Sequence, residues 1–178
     1  MKFLRTSDLF REVKIYQGKQ SVDSRGTFLK PFFGSELVGL FDSISEIMIV
    51  ESKKNVIRGM HFQTPPFDVD KIVTCIYGEI EDVVLDVRMQ SNTFKKFDSF
   101  TLNSENRNIV FVPKGFAHGY KVKSKKAVVC YLQSGDFNEK HDSGVNLNSF
   151  GYNWKIKKPI ISVKDQNLKT LEEFKDKW

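Results

Sequence analysis

Apolar and polar residues alternate in short runs along most of the chain, and residues that favour turns separate these runs. The runs are rich in Val, Ile, Phe and Thr, a pattern typical of an all-β sandwich or barrel. A nearly continuous apolar run near residues 80–87 predicts a strand that is covered on both faces over part of its length. In all, the pattern predicts strands over residues 13–16, 27–33, 46–51, 56–62, 71–77, 79–87, 97–102, 108–112, 118–122 and 128–132.

Two helices are predicted. One is short and spans residues 35–41, and the other begins at Asn167 as its N-cap. The second helix places Leu168, Leu171, Phe174 and, at its end, Trp178 on one side. Because the chain shows no repeat, low-complexity tract or linker, we expect one β domain over residues 1–178 with a short C-terminal helical tail.

Composition narrows the function classes. The net charge of +6 comes mostly from scattered lysines, and no basic run with interleaved aromatic residues predicts nucleic-acid binding. This charge suits an anionic small molecule. Because no apolar run approaches membrane-spanning length and no secretory segment is recognised, we expect no membrane association and a cytoplasmic location. Cys75 and Cys130 lie in apolar runs and are predicted to be buried hydrophobes.

The run Arg58-Gly59-Met60-His61-Phe62-Gln63 is the first candidate for chemistry. Strand alternation would place Arg58, Met60 and Phe62 on one face and Ile57, Gly59, His61 and Gln63 on the other. By itself, this run is equally consistent with a half-buried histidine next to a surface arginine.

A second candidate is Pro113-Lys114-Gly115-Phe116-Ala117-His118-Gly119, which has the outline of the second histidine motif of cupins. Many cupins complete a metal site with a His-x-His pair and a glutamate from an earlier strand. Here that strand supplies His61 alone, and Gln63 stands at the next position in register. We therefore expect no metal site, and we expect His141 to be a solvated loop residue.

Several segments together resemble the dTDP-4-dehydrorhamnose 3,5-epimerase family, from about residue 12 to residue 166. They are Asp23-Ser24-Arg25-Gly26, the stretch 55–63, Lys71-Ile72-Val73, the stretch 78–88, the stretch 112–119 and Ser162-Val163-Lys164-Asp165. The resemblance implies a cupin double-sheet jelly roll, a cofactor-independent reaction on a nucleotide-linked 4-keto sugar, and a homodimer in which an N-terminal strand joins the neighbour's sheet.

The resemblance also implies roles for individual residues. His61 would be the base, Asp165 its partner, Lys71 the cation near the enolate and Tyr131 the general acid. Arg25 and Arg58 would hold the diphosphate, and Gln63, Asp82 and His118 would line the substrate pocket. Without the family resemblance, Asp165 would be interpreted as an exposed carboxylate in the first turn of a helix, Lys71 as a member of a surface ion pair and Tyr131 as a core tyrosine.

Three departures from the family pattern concern the substrate. The family's acidic residue after the Arg-Gly turn is Lys30 here, its Gln-x-Asn-His-Ser stretch is Glu46-Ile47-Met48-Ile49-Val50, and its paired tyrosines are Asp136-Phe137. These positions help to hold the nucleotide and shape the sugar pocket. The sequence therefore leaves open whether dTDP, CDP or GDP is bound, which sugar is used, and whether C3, C5 or both are inverted.

The function expected from the sequence is an isomerase that inverts C3 and/or C5 of a nucleotide-diphosphate 4-keto-deoxysugar for bacterial surface polysaccharide. One alternative is a nucleotide-sugar 3,4-ketoisomerase of the same fold, which usually has a second histidine where Gln63 stands. Another is a non-catalytic sugar-binding cupin, which would keep the arginines but not the set of His61, Lys71 and Tyr131.

Overall fold

The computed structural model describes residues 1–32, 34–37, 39–41 and 43–174. These residues form thirteen strands and two helices of one turn each. The strands are β1 (Lys2–Thr6), β2 (Lys14–Gln17), β3 (Lys19–Asp23), β4 (Gly26–Lys30), β5 (Glu46–Lys53), β6 (Ile57–Gln63), β7 (Lys71–Tyr77), β8 (Glu79–Asp86), β9 (Phe97–Asn103), β10 (Asn108–Val112), β11 (Phe116–Val122), β12 (Lys126–Gln133) and β13 (Asp142–Gly144). The helices are α1 (Gly34–Leu37) and α2 (Val163–Gln166).

Two large antiparallel sheets form the body of the molecule. The six-stranded sheet has the order β1-β2-β10-β7-β12-β5, and the five-stranded sheet has the order β13-β6-β11-β8-β9. Their inner faces share one buried cluster, in which Val73 and Val110 of the first sheet pack with Val84 and Phe116 of the second. Strands β3 and β4 form a separate hairpin. The prediction of an all-β fold is confirmed.

Segments outside the two large sheets pack on the outer faces of both sheets. On the five-stranded sheet, Trp154 and Leu171 pack over Val83 and Leu85 of β8. Because Val84 of the same strand lies in the inner cluster, β8 is buried on both faces, as its apolar run predicts. Removing these apolar side chains from water stabilises the sheet from both sides.

The predicted strands all occur in the structure, and its described residues contain three further strands. Each predicted strand overlaps an observed one, although β4 ends at Lys30 and Phe33 lies outside the described residues. The pattern missed β1, β3 and β13. Strands β1 and β3 are largely exposed, and β13 consists of Asp, Ser and Gly, so none of them carries the alternation of a half-buried strand.

The predicted C-terminal helix is wrong. Asn167 is the C-cap of α2 rather than the N-cap of a later helix, and residues 168–174 are not helical. Leu171 and Phe174 are nevertheless buried on the outer face of the five-stranded sheet. Their spacing therefore identified buried residues but not the backbone that presents them, and Trp178 lies outside the described residues.

The helix predicted over residues 35–41 is shorter than expected. Helix α1 ends at Leu37, and Gly39 then adopts a φ of 90° within a turn. A glycine in this left-handed region is a common way to end a helix. Both predicted cysteine assignments are confirmed, because Cys75 and Cys130 are free and buried.

A bulge in β6 changes which side chains share a face. Between the pairs His118–His61 and Tyr120–Arg58, β6 contains one residue more than β11. Gly59 has a φ of 127° there, and a Cβ at this position would lie 2.5 Å from Gly119 Cα. The predicted alternation is therefore wrong at this point, since the bulge turns Arg58 to the same side as His61.

Candidate active site

A pocket of about 280 Å³ lies between the two large sheets. Strands β5, β7 and β12 of the six-stranded sheet form one wall, and β6 and β11 of the five-stranded sheet form the other. Six of the residues predicted for the site line this pocket: Arg58, His61, Gln63, Lys71, His118 and Tyr131. The structure thus brings together residues that are up to 73 positions apart in the chain (131 minus 58).

His61 forms a dyad with Asp165. Its Nε2 lies 2.8 Å from Asp165 Oδ1, and the other carboxylate oxygen accepts a hydrogen bond from Gly59 N at 3.3 Å. Helix α2 positions the carboxylate, because its N-cap Ser162 accepts a hydrogen bond from Asp165 N at 3.0 Å. Asp165 is buried, so the exposed first-turn carboxylate considered above is not what the structure shows.

The dyad keeps Asp165 ionised. Burial by itself would raise the pKa of this carboxyl, but the hydrogen bond and charge of His61 oppose it, with help from Gly59 and Ser162. The balance lowers the pKa of Asp165 below its usual value. An ionised Asp165 accepts a hydrogen bond from the N–H of His61 Nε2, which leaves the electron pair of His61 Nδ1 free.

His118 forms a second dyad, one strand away. It lies directly across from His61 in the β6–β11 pairing, and its Nε2 is 2.6 Å from Asp82 Oδ1. Both residues are buried, and Asp82 lies behind His118 rather than on the pocket wall. Burial raises the pKa of Asp82, and the charge and hydrogen bond of His118 offset this only in part.

Tyr131 enters the pocket from the opposite sheet. It lies on β12, and its ring meets the edge of the His118 ring with centroids 5.8 Å apart. Burial and the neighbouring Tyr120 raise the pKa of Tyr131 well above its usual value, although the charge of Arg58 acts in the other direction. At neutral pH, Tyr131 is therefore a protonated phenol that can donate a hydrogen.

Lys71 stands at the start of β7 with its side chain in the pocket. Burial lowers the pKa of Lys71 to about 8, while Asp142 and Glu46 favour the charged form and Lys164 disfavours it. Lys71 is therefore still a cation at neutral pH, and it is a pocket residue rather than a member of a surface ion pair.

The amide of Gln63 lies on the pocket wall, where it makes three hydrogen bonds to the backbone. Its Nε2 donates to the carbonyl oxygens of Phe67 at 2.8 Å and Asp136 at 3.2 Å. Its Oε1 accepts from Asn138 N at 2.6 Å. Gln63 thus holds the loop that carries Phe137 at the pocket.

Arg25 is the predicted site residue that lies apart from the others. It occupies the turn between β3 and β4, is exposed, and pairs with Asp23 at 2.6 Å. It does not line the pocket of its own chain.

The sequence did not identify several residues that line the pocket. Lys164 is next to Asp165 in α2 and forms an ion pair with Asp142 of β13, and both face the pocket. The signal for Lys164 was present in the Ser-x-Lys-Asp segment, but Asp142 had none, because its strand forms only by pairing with β6. Phe137 and Met48 also line the pocket, at two of the positions where the sequence departs from the family.

The described part of the chain contains neither a cluster of metal ligands nor a membrane-spanning helix. Across residues 1–32, 34–37, 39–41 and 43–174, the structure shows no group of three or more His, Cys, Asp and Glu side chains placed to hold a metal ion. In the same ranges, neither helix has the length and apolar character needed to cross a membrane.

Comparison with known proteins gives consistent results. The family model for dTDP-4-dehydrorhamnose 3,5-epimerase matches residues 9–173. The dTDP-4-dehydrorhamnose 3,5-epimerase of Escherichia coli (strain K12) is 33% identical over 180 residues, which cover 98% of this chain and 96% of the relative.

Solved structures show the same similarity. The 3,5-epimerase of Legionella pneumophila in complex with dTDP-4-keto-L-rhamnose superimposes with a TM-score of 0.90 at 28% identity, covering 97% of this chain and 95% of that one. The Bacillus anthracis dTDP-4-dehydrorhamnose 3,5-epimerase with TDP and PPi bound gives 0.87 at 31% identity, covering 94% and 99%. These matches confirm the predicted cupin jelly roll. The chain belongs to the dTDP-4-dehydrorhamnose 3,5-epimerase family and is an isomerase.

Proposed function

We propose that this chain inverts C3, C5 or both in a nucleotide-diphosphate-linked 4-keto-deoxysugar by removing and returning protons. One observation supports this above all: the His61–Asp165 dyad and Tyr131 meet in one pocket from opposite sheets. The complexes of two related enzymes, with dTDP-4-keto-L-rhamnose and with TDP, favour a dTDP-linked substrate.

The chemistry needs a base and a cation. A ketone at C4 acidifies the hydrogens on C3 and C5, because removal of either gives an enolate. Nδ1 of His61 would take the proton, and Asp165 would stabilise the imidazolium that results. Lys71 would stabilise the negative charge on the enolate oxygen. Such a reaction needs neither a metal nor a redox cofactor.

Inversion also needs a proton donor on the other face of the sugar. Tyr131 is suited to this role because it lies on the wall opposite His61 and keeps its proton at neutral pH. His118 would hold the sugar between them. A proton removed by His61 and replaced from Tyr131 reverses the configuration of the carbon.

The diphosphate would be bound by cations at the pocket. Arg58 and Lys164 line it in the same chain. We propose that Arg25 reaches the pocket of a second copy, so that the enzyme is a homodimer. Two sets of exposed apolar residues support this: Val22 and Phe28 on the β3–β4 hairpin, and Ile47 and Ile49 on edge strand β5.

The test is to incubate the protein with dTDP-4-keto-6-deoxyglucose in deuterated water and to follow deuterium at C3 and C5 by NMR. We expect incorporation at one or both carbons with inversion, and none with His61→Asn. Parallel reactions with CDP- and GDP-linked sugars identify the nucleotide. Movement of the carbonyl from C4 to C3 would instead indicate a ketoisomerase, and tight binding without exchange a non-catalytic binder. The cytoplasmic location and the pathway to bacterial surface polysaccharide stay predictions.

A further inference from the structure

A chain of buried hydroxyl groups lies behind Tyr131. Arg58 Nε donates to Ser52 Oγ at 2.9 Å, and Ser52 Oγ lies 3.1 Å from the hydroxyl of Tyr120. The rings of Tyr120 and Tyr131 have centroids 6.4 Å apart, and each of the two hydroxyl groups shifts the pKa of the other. Ser52 and Tyr120 are both buried, and the mechanism proposed above uses neither.

The hydrogen bond that Arg58 donates fixes the direction of the other hydrogen bonds in this series of hydroxyl groups. A guanidinium can only donate hydrogen bonds, so Ser52 Oγ must accept from Arg58. The hydroxyl hydrogen of Ser52 is then available to Tyr120, and that of Tyr120 is available to Tyr131. The hydrogen of Tyr131 is left to point into the pocket, where a proton donor is needed.

Negative charge is better stabilised on Tyr120 than on Tyr131. Burial raises the pKa of Tyr120, but the hydrogen bond from Ser52 and the charge of Arg58 oppose that rise. For Tyr131, burial and Tyr120 both raise the pKa, and only Arg58 opposes them. A phenolate formed in this pair is therefore more stable on the side of Ser52.

We propose that Tyr120 and Ser52 are positioning residues that relay a proton to Tyr131. As the O–H bond of Tyr131 breaks and a C–H bond forms on the sugar, the O–H bond of Tyr120 breaks and its proton moves to Tyr131. The electron pair remains on the oxygen of Tyr120, next to Ser52 and Arg58. After product release, water in the pocket protonates Tyr131 as Tyr131 returns a proton to Tyr120, and the hydroxide that remains takes the proton that His61 removed from the sugar. This relay rests on the proposed role of Tyr131.

Tyr120→Phe tests the relay by separating two rates in deuterated water. We expect inversion to slow by about tenfold, the fold-change that corresponds to one lost hydrogen bond to a developing charge. Deuterium exchange at the carbon facing His61 should stay within about twofold of wild type, since the dyad is unaltered. The control is Tyr152→Phe, which removes a hydroxyl bonded to Glu81 outside the pocket and should leave both rates unchanged.

A double variant shows whether Tyr120 acts through Tyr131. Tyr131→Phe should slow inversion by about 100- to 10,000-fold and leave a measurable residual rate, and Tyr120→Phe with Tyr131→Phe should be no slower than Tyr131→Phe alone. A further tenfold drop in the double variant, or wild-type inversion in Tyr120→Phe, overturns the relay.

Ser52→Ala tests the other end of the relay without changing the aromatic core. It should slow inversion and spare exchange, as Tyr120→Phe does, and equal loss of both rates contradicts the relay. Circular dichroism and thermal unfolding check that each variant folds. Absence of exchange in the wild type with every 4-keto sugar overturns the proposed function itself, which is a different outcome from an unaffected Tyr120→Phe.

Discussion

The carboxylate of Asp165 bonds both to the His61 ring and to the backbone of the β6 bulge next to it. One oxygen lies 2.8 Å from His61 Nε2, and the other accepts a hydrogen bond from Gly59 N at 3.3 Å. Residues 104 positions apart in the chain are thereby fixed together. Because both oxygens are engaged, the ring has one orientation and presents Nδ1 to a substrate.

Replacing this carboxylate by an amide should therefore reduce turnover much more than stability. Asp165→Asn keeps the shape of the side chain and an acceptor for Gly59, but it cannot stabilise an imidazolium at His61. We expect kcat to fall by about 100- to 10,000-fold, with little change in the melting temperature. Epimerisation rates and thermal unfolding measure the two effects. The exposed Asp8→Asn is the control, and a variant retaining more than one-tenth of wild-type kcat would contradict the dyad.

Lys71 should give the enzyme a loss of activity on the alkaline side. Its pKa is lowered to about 8, so the ammonium that stabilises the enolate loses its proton as the pH rises through that value. We expect kcat to decline above pH 8. In Lys71→Arg, whose guanidinium stays charged, the decline should move to higher pH even if the maximum rate is lower. Rate profiles between pH 6 and 10 check this, and the same alkaline limb in both proteins would assign it to another group.

Mixing two inactive variants tests whether Arg25 serves the partner's pocket. Arg25→Ala chains keep His61, and His61→Asn chains keep Arg25. If each pocket combines His61 of one copy with Arg25 of the other, a mixed dimer has one intact pocket. We therefore expect activity to return when the two variants are unfolded and refolded together, and light scattering should show a dimer.

The amount of recovered activity shows whether Arg25 serves the pocket of the partner or the pocket of its own chain. Random pairing of equal amounts makes half of the dimers mixed, each with one working pocket, so about one quarter of wild-type activity should appear. Each variant refolded alone is the control. No recovery from confirmed mixed dimers would place Arg25 with His61 of its own chain, and activity of Arg25→Ala refolded alone would place Arg25 outside the site.

The sequence predicted the strands better than the faces they present. Strands such as β8 carry an apolar pattern that burial alone explains, whereas the direction of Arg58 depends on a bulge in β6. That bulge is possible because Gly59 and Gly119 approach each other on neighbouring strands, a relationship between distant residues. The alternation rule assumes regular pairing and therefore placed Arg58 on the wrong side.

The C-terminal segment illustrates a second limit. Leu171 and Phe174 follow helical spacing, yet the sheet beneath them supplies the apolar contacts that an irregular segment can also satisfy. The site residues were named from motifs, and six of them meet in the pocket. Arg25 lies apart, in the exposed turn between β3 and β4, and its place in the pocket of a second copy stays a prediction.

Gln63 should contribute to stability and substrate affinity rather than to chemistry. Its amide joins β6 to the backbone at Phe67, Asp136 and Asn138, which fixes the loop that carries Phe137 to the pocket. Gln63→Ala removes the side-chain partner of these partly buried backbone groups, which costs on the order of 1–3 kcal/mol for each group that water does not reach. We therefore expect a lower melting temperature and a raised KM.

The effect on kcat separates this role from direct participation in proton transfer. Because both the amide nitrogen and the amide oxygen of Gln63 are bonded to the backbone of the loop, kcat of Gln63→Ala should stay within about threefold of wild type once substrate saturates, far below the loss expected for an acid or base. Gln90→Ala, at an exposed turn, is the control and should leave the melting temperature and KM unchanged. A large fall in kcat with unchanged stability would mean that the amide leaves the loop and contacts the substrate during turnover.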